Sequence, residues 1–237
     1  RLGTGHAVRV ALEQAGIGEG PVLVLCGDTP LLRGETLARL VEAARGCAGG
    51  ALLTMTYADP TGYGRVMLDA AGMAERIVEQ KDCTPEEAAC TTCNAGVYCF
   101  DAALLSSHIG ELSRGNAQGE YYLTDMVQIL RAAGAPLAAL GCDDDPDELM
   151  GVNSRIQLAQ ATKVMQRRIN DALMASGVTM LDPDQVWVGP GVEVGRDTVL
   201  LPGTMLWGAT RIGEGCVVGP QTRLTDTLVG DGCTVDE

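Results

Sequence analysis

VGPGVEVGRDTVLLPGTMLWGATRIGEGCVVGPQTRL, residues 188–224, carries an aliphatic residue at every sixth position: Val188, Val194, Leu200, Leu206, Ile212, Val218 and Leu224. Four positions after the first six of these stand Val192, Thr198, Thr204, Thr210, Cys216 and Thr222, with Gly, Pro, Asp or Glu in many gaps. A six-residue period suits neither an α-helix nor an ordinary flat sheet. It suits a parallel coil with three short faces, in which each aliphatic residue points inward and stacks on its counterpart one coil away. The phase slips by one residue between Leu224 and Val229, and VGDGC at 229–233 resumes it. Solenoids need neighbours or caps over their ends, and the repeat is still running at Glu237, so a continuation or a partner chain is predicted.

Immediately upstream, Leu158, Met165, Ile169, Ala172 and Leu173 share one face of a predicted helix from Arg155 to Ser176, and Gly177 suits the residue after its last turn. The chain therefore reads as a domain over 1–153, a linker helix over 154–180 whose stripe packs on one of its neighbours, and the first coils of a solenoid over 181–237. In the front part, Pro21 to Leu25 is a short apolar run of the kind buried on both faces of a parallel sheet. A helix over Gly34 to Ala44 follows. Behind it come strands over Ala51 to Tyr57, Arg65 to Leu68, Glu75 to Glu79 and Ala95 to Phe100, a helix over Tyr121 to Ala133 and a strand over Leu137 to Leu140. Alternation of this kind predicts an α/β domain with a mostly parallel sheet.

Of the 237 residues, 46% are hydrophobic and 20% charged, which is a globular composition rather than a disordered one. The net charge of -14 argues against binding nucleic-acid phosphates, which takes clustered Lys and Arg. No apolar stretch reaches the ~20 residues of a membrane-spanning helix, and no leader pattern opens the chain at Arg1. Nine cysteines are spread along the sequence, which predicts free thiols in a reducing cytoplasm. Cys83, Cys90, Cys93 and Cys99 include a single C-x-x-C with no second pair, so buried thiols are favoured over half a zinc site.

Ligands of open α/β sheets collect beyond the carboxyl ends of the strands, and CGDTP at 26–30 follows the Pro21 run directly. An acidic side chain there can hold a divalent cation that bridges phosphates; equally, Asp28 can form an Asx-turn with Thr29 and Pro30.

LGTGHA (2–7), CGDTPL (26–31), DPTGYGR (59–65), IVEQKD (77–82), CNAG (93–96), NAQGEYYLTD (116–125) and GVN (151–153) occur in that order. Together they resemble the bacterial bifunctional N-acetylglucosamine-1-phosphate uridyltransferase / glucosamine-1-phosphate acetyltransferase family over essentially the whole chain. The resemblance implies a Rossmann-like nucleotidyltransferase domain followed by a left-handed parallel β-helix of hexapeptide repeats. It implies uridylyl transfer from UTP to N-acetylglucosamine 1-phosphate, giving UDP-N-acetylglucosamine for cell-wall synthesis, with Mg²⁺ as cofactor and a homotrimer as the assembly.

By the same resemblance Asp28 and Asn153 are the metal ligands and catalytic residues, with Cys26 and Gly27 beside Asp28 in the binding loop. Gly3 and Thr4 match the stretch against the uracil ring. Gly64, Glu79 and Asn94 match positions that hold the N-acetyl sugar and its ribose neighbour, and Tyr122 and Thr124 fall near the sugar. Each has a plainer reading. Thr4 can cap a helix running to Gln14, and either Asn153 or Ser154 can cap the long helix. Gly64 and Glu79 can be turn and surface, while Tyr122 and Thr124 can start a helix. His6 reads as structural. Ala95 replaces a Thr of many relatives, which predicts one hydroxyl contact fewer near the sugar.

The family's glycine-rich phosphate loop, closed by an Arg and followed by a Lys, is found nowhere in the sequence; the resemblance implies that it lies upstream of Arg1 and the acetyltransferase residues downstream of Glu237. The chain by itself is accordingly expected to be weakly active or inactive. Two other readings stay open: a thymidylyl- or adenylyltransferase with a similar tail, and a non-catalytic, trimerising or ligand-binding fragment.

Overall fold

A computed structural model describes residues 2–145 and 147–236, and divides the chain into the units Arg1–Gly151 and Val152–Glu237. The first unit runs α1 (Thr4–Ala15), β1 (Pro21–Val24), α2 (Gly34–Arg45), β2 (Gly50–Thr56), β3 (Arg65–Leu68), β4 (Met73–Val78), α3 (Pro85–Ala88), β5 (Thr92–Asp101), α4 (Ala102–His108), α5 (Asp125–Ala132) and β6 (Leu137–Gly141). Side chains of β2 alternate between two cores. Ala51, Leu53 and Met55 pack with Leu40 of α2 on one face of the sheet, while Leu52 joins Leu105, Met126 and Leu130 of α4 and α5 on the other. Helices thus cover both faces.

The sheet order is β1-β5-β2-β6-β4-β3, with β3 also meeting β5. Among the described residues of this sheet only β2 and β6 pair in parallel; the other pairings are antiparallel. The expected mostly parallel sheet is corrected to a mixed one. Strands β1, β2 and β6 do run the same way, but β5 enters between β1 and β2 from the opposite end. No long helix separates β3 from β4. They form a hairpin closed by the Asp69 carboxylate, which accepts the amides of Ala71 at 2.9 Å and Met73 at 3.0 Å.

Two further expectations change here. Among the described residues β1 is not buried on both faces: it pairs with β5 alone at the end of the sheet, and Leu23 and Leu25 remain 40% and 47% exposed. The helix expected from Tyr121 begins only at Asp125. Backbone groups ahead of it are taken by the chain start: Tyr121 N donates to Leu2 O and Gly5 N to Tyr121 O, both at 2.9 Å, and Leu123 N donates to the Thr4 hydroxyl at 3.0 Å.

In the second unit α6 (Arg155–Ala175) starts at Ser154, whose hydroxyl accepts Gln157 N at 3.2 Å. It ends at Gly177, with φ 108, where Val178 N reaches back to Leu173 O at 3.1 Å. Ile169, Leu173 and Met174 pack on the core of this unit, but Leu158 is 53% exposed and Ala172 is exposed as well. Two buried amides hold the helix instead. Gln166 donates to Pro183 O and Asp184 O at 3.3 Å and to Val186 O, and Asn170 to Pro183 O at 2.8 Å and Val186 O at 2.9 Å.

Beyond α6, strands of two or three residues stack in parallel into three sheets, of four, three and three strands. Trp187 pairs with Met205 and Met205 with Arg223, so a coil spans 18 residues. Leu200, Leu206 and Val218 are fully buried, and so are Thr198, Thr204 and Thr210. The buried threonine hydroxyls are satisfied by backbone, donating to Gly213 O at 2.8 Å, Val218 O at 3.1 Å and Trp207 O at 2.7 Å. The next coil is one residue shorter, since Arg211 pairs with Leu228 and Val217 with Thr234. The shortening falls at Asp226, whose φ of 50 lies in the left-handed region that Asp tolerates and whose carboxylate accepts Ala209 N at 2.8 Å.

Candidate active site

The loop after β1 leans on β5. Cys26 donates its thiol to Gly96 O at 3.3 Å, and the Thr29 hydroxyl donates to Cys26 O at 3.0 Å. Gly96 has φ 71, and a Cβ there would lie 3.0 Å from Cys26 Sγ, so a larger residue would push the loop away. Asp28, at the tip, is exposed and forms no ion pair among the described residues. Burial raises the Cys26 thiol pKa, and the charge of Asp28 adds to the rise.

From Gly96 a chain of hydrogen bonds crosses the sheet. Asn94 accepts Gly96 N at 3.1 Å and donates to the Tyr98 hydroxyl at 2.7 Å, while its own backbone N donates to Gly64 O at 2.8 Å. Gly64 sits against Glu79, where a Cβ would lie 3.4 Å from Glu79 Oε2. The other Glu79 oxygen accepts the Thr124 hydroxyl at 3.1 Å. Burial raises the Glu79 carboxyl pKa, the charges of Asp82 and Asp125 raise it further, and the Thr124 hydrogen bond opposes them. Glu79, Asp82, Tyr122 and Asp125 line a cavity of about 280 Å³.

Gly64, Glu79, Asn94, Tyr122 and Thr124 are therefore gathered in the first unit, with the Cys26-Gly27-Asp28 loop bonded to the same strand. Thr4 joins them through Leu123, and its hydroxyl is spent there, so it does not cap α1: Gly3 occupies the cap position without a side-chain bond. Gly3 has φ 97, and a Cβ on it would lie 2.5 Å from Tyr121 O, so close packing alone requires glycine. Ala95 packs with Cys93 and Val97 in the α2-side core, whereas Asn94 turns toward Tyr98 of the other core, so the missing Thr hydroxyl falls on the far face from Asn94. Asn153 belongs to the second unit. With Ser154 supplying the cap, the Asn153 side chain is left exposed ahead of α6.

Among the described residues no group of three or more His, Cys, Asp or Glu is placed to hold a metal. Asp28 lies in the first unit and Asn153 in the second; taken singly, each offers a hard oxygen donor, a carboxylate and an amide oxygen, of the kind Mg²⁺ takes. Cys83, Cys90 and Cys93 donate to the carbonyls of Val78, Val66 and Thr91, and all nine cysteines are free. No helix of the described residues is long and apolar enough to cross a membrane. Sequence reasoning passed over Arg65, Gln80 and Tyr98, which brace the gathered residues. The first two stood inside the DPTGYGR and IVEQKD motifs, and that was the available signal.

A family model described as nucleotidyl transferase matches residues 1–145, more than half of the chain, and the chain belongs to that family. It is 50% identical over 234 residues to the bifunctional protein GlmU of Trichlorobacter lovleyi, covering 98% of this chain and 50% of the relative. Proteins of the same name match from Caldanaerobacter subterraneus subsp. tengcongensis, at 48% over 236 residues, 99% of this chain and 51% of the relative, and from Corynebacterium diphtheriae, at 45% over 234 residues, 98% and 48%. The chain spans about half the length of these curated relatives.

Proposed function

We propose that the protein transfers the uridylyl group of UTP to N-acetylglucosamine 1-phosphate, giving UDP-N-acetylglucosamine and pyrophosphate. The observation that carries this reading is the hydrogen-bonded run from Cys26 through Gly96 and Asn94 to Gly64, with Glu79 packed against Gly64 and accepting the Thr124 hydroxyl. Its amide, carboxylate and hydroxyl groups suit a sugar bearing hydroxyls and an N-acetyl group. An oxygen of the sugar phosphate attacks the α-phosphorus in line, a new O–P bond forms, and the bond to the β-phosphate oxygen breaks as pyrophosphate leaves. No covalent enzyme intermediate is required, so the protein's work is positioning and charge neutralisation. Asp28 and Asn153 are assigned as ligands of Mg²⁺, which when bound offsets phosphate charge. Gly3 and Thr4 are assigned to the uracil, and Gly64, Glu79, Asn94, Tyr122 and Thr124 to the sugar. The coils are read as a left-handed β-helix of hexapeptides, the assembly as a homotrimer and the compartment as the cytoplasm, which the free thiols support.

The test is pyrophosphate release by the full-length protein with N-acetylglucosamine 1-phosphate, Mg²⁺ and either UTP, dTTP or ATP. UTP is expected to be preferred, and Asp28→Ala to lower kcat by about 10² to 10³, the cost of removing one preorganised charge-stabilising group. An Asp28→Ala protein with unchanged kcat and Mg²⁺ dependence defeats the metal assignment.

A further inference from the structure

Among the described residues Arg65 is the largest fully buried side chain, only 2% exposed, and none of the carboxylates of those residues lies at hydrogen-bonding distance from it. Its guanidinium donates to Tyr63 O, to Gln80 Oε1 at 2.8 Å and to Ala88 O at 3.4 Å, and its Nε is buried without a partner. A buried charge held by neutral acceptors, with one donor unsatisfied, is costly. As a stability device the arrangement is poor, since an apolar residue would fill the space at lower cost.

What the arrangement does is join three pieces of backbone. Gln80 Oε1 accepts Gly62 N at 3.1 Å as well as Arg65 Nη2, so one oxygen ties the 59–64 loop to the end of β4. Arg65 stands opposite Val78 in the β3–β4 ladder. Gly64 precedes Arg65 and Glu79 precedes Gln80, so the two braced residues are the immediate neighbours of the two assigned to the sugar. Their spacing is also tight, since a Cβ at Gly64 would lie 3.2 Å from Ile77 Cγ2 and 3.4 Å from Glu79 Oε2.

We propose that Arg65 and Gln80 form a clamp that sets the distance between Gly64 and Glu79, making them positioning residues for an N-acetylated sugar. Neither side chain touches the substrate. Lysine cannot replace the arginine, because a single ammonium lacks the planar fork that reaches Tyr63 O and Gln80 together. The proposal rests on the assignment of Gly64 and Glu79 to the sugar.

In the full-length protein, Arg65→Lys and Gln80→Ala are compared with Glu79→Gln by steady-state kinetics, varying each substrate in turn. Gln80 is only half-buried, so its variant carries the test if the arginine variant fails to fold. Both clamp variants are expected to raise KM for N-acetylglucosamine 1-phosphate about tenfold, the equivalent of one misplaced hydrogen bond, with KM for UTP unchanged. If Glu79→Gln raises the sugar KM while the clamp variants do not, the clamp is wrong and the sugar site stands. If none of the three moves it, the sugar assignment fails and the clamp with it. Equal rises for both substrates, or a fall in kcat alone, mean a merely structural role and also overturn the proposal.

Discussion

Glu79 is held where its charge is unwelcome, by burial first and by Asp82 and Asp125 second. The folded chain therefore keeps this proton to higher pH than the unfolded chain does, and stability falls as pH climbs from the ordinary value of 4.5 toward neutrality. Glu79→Gln, which keeps an acceptor for the Thr124 hydroxyl, is expected to melt a few degrees above the parent at pH 7 and level with it at pH 4. Thermal denaturation at the two pH values checks this; a variant that melts no higher at pH 7 rules out burial as the cause. At this scale the sequence was informative where a motif surrounds the residue. Gly64, Glu79, Asn94 and Thr124 stood in quoted motifs and lie together, Asn94 bonded to Gly64, Glu79 packed against Gly64 and bonded to Thr124. Arg65 stood in one too, yet a lone arginine reads as surface because burial depends on partners such as Ala88, more than twenty residues away.

Among the elements, α2, β2 and β6 fall within a residue or two of their expected positions, since apolar spacing reports local periodicity directly. Sheet direction and edge position do not follow from periodicity. Pro21 to Leu25 reads as a strand buried on both faces, yet among the described residues β1 pairs with β5 alone and lies at the end of the sheet. The docking of α6 was hidden for a similar reason: Gln166 and Asn170 look like surface amides until Pro183 and Val186 present their carbonyls. Asn170→Ala leaves those carbonyls short of a donor and is expected to cost the Val152–Glu237 unit about 2–4 kcal/mol. Leu158→Ala, on an exposed side chain, is expected to stay within about 0.5 kcal/mol. Urea unfolding of both variants reads the difference, and a larger loss at Leu158 would restore the apolar stripe as what docks the helix.

For the molecule taken whole, the solenoid was the most readable part because each coil repeats one constraint, inward aliphatic and inward threonine, at fixed spacing. The slip at Asp226 was visible as a broken period, and the shortened coil accounts for it. Activity is less local. The 237 residues contain no glycine-rich loop closed by arginine and followed by lysine, so under the proposed function the charge of a triphosphate would be incompletely balanced by this chain. Turnover by the 237-residue chain alone is expected to fall at least about a thousandfold below the common range of ~1 to 10³ s⁻¹. Pyrophosphate release measures it, and a rate inside that range defeats the expectation.

The pairing of Leu2 and Gly5 with Tyr121 bears on how the protein is made. A ribosome delivers Gly5 long before Tyr121, and at roughly 5–20 residues per second the intervening stretch takes about 6–23 s to appear. Through that interval α1 lacks the backbone seat that Tyr121 provides, although Val8 and Leu12 can already meet Val22 and Val24. The solenoid meets the opposite situation, because each new coil finds the previous one already waiting.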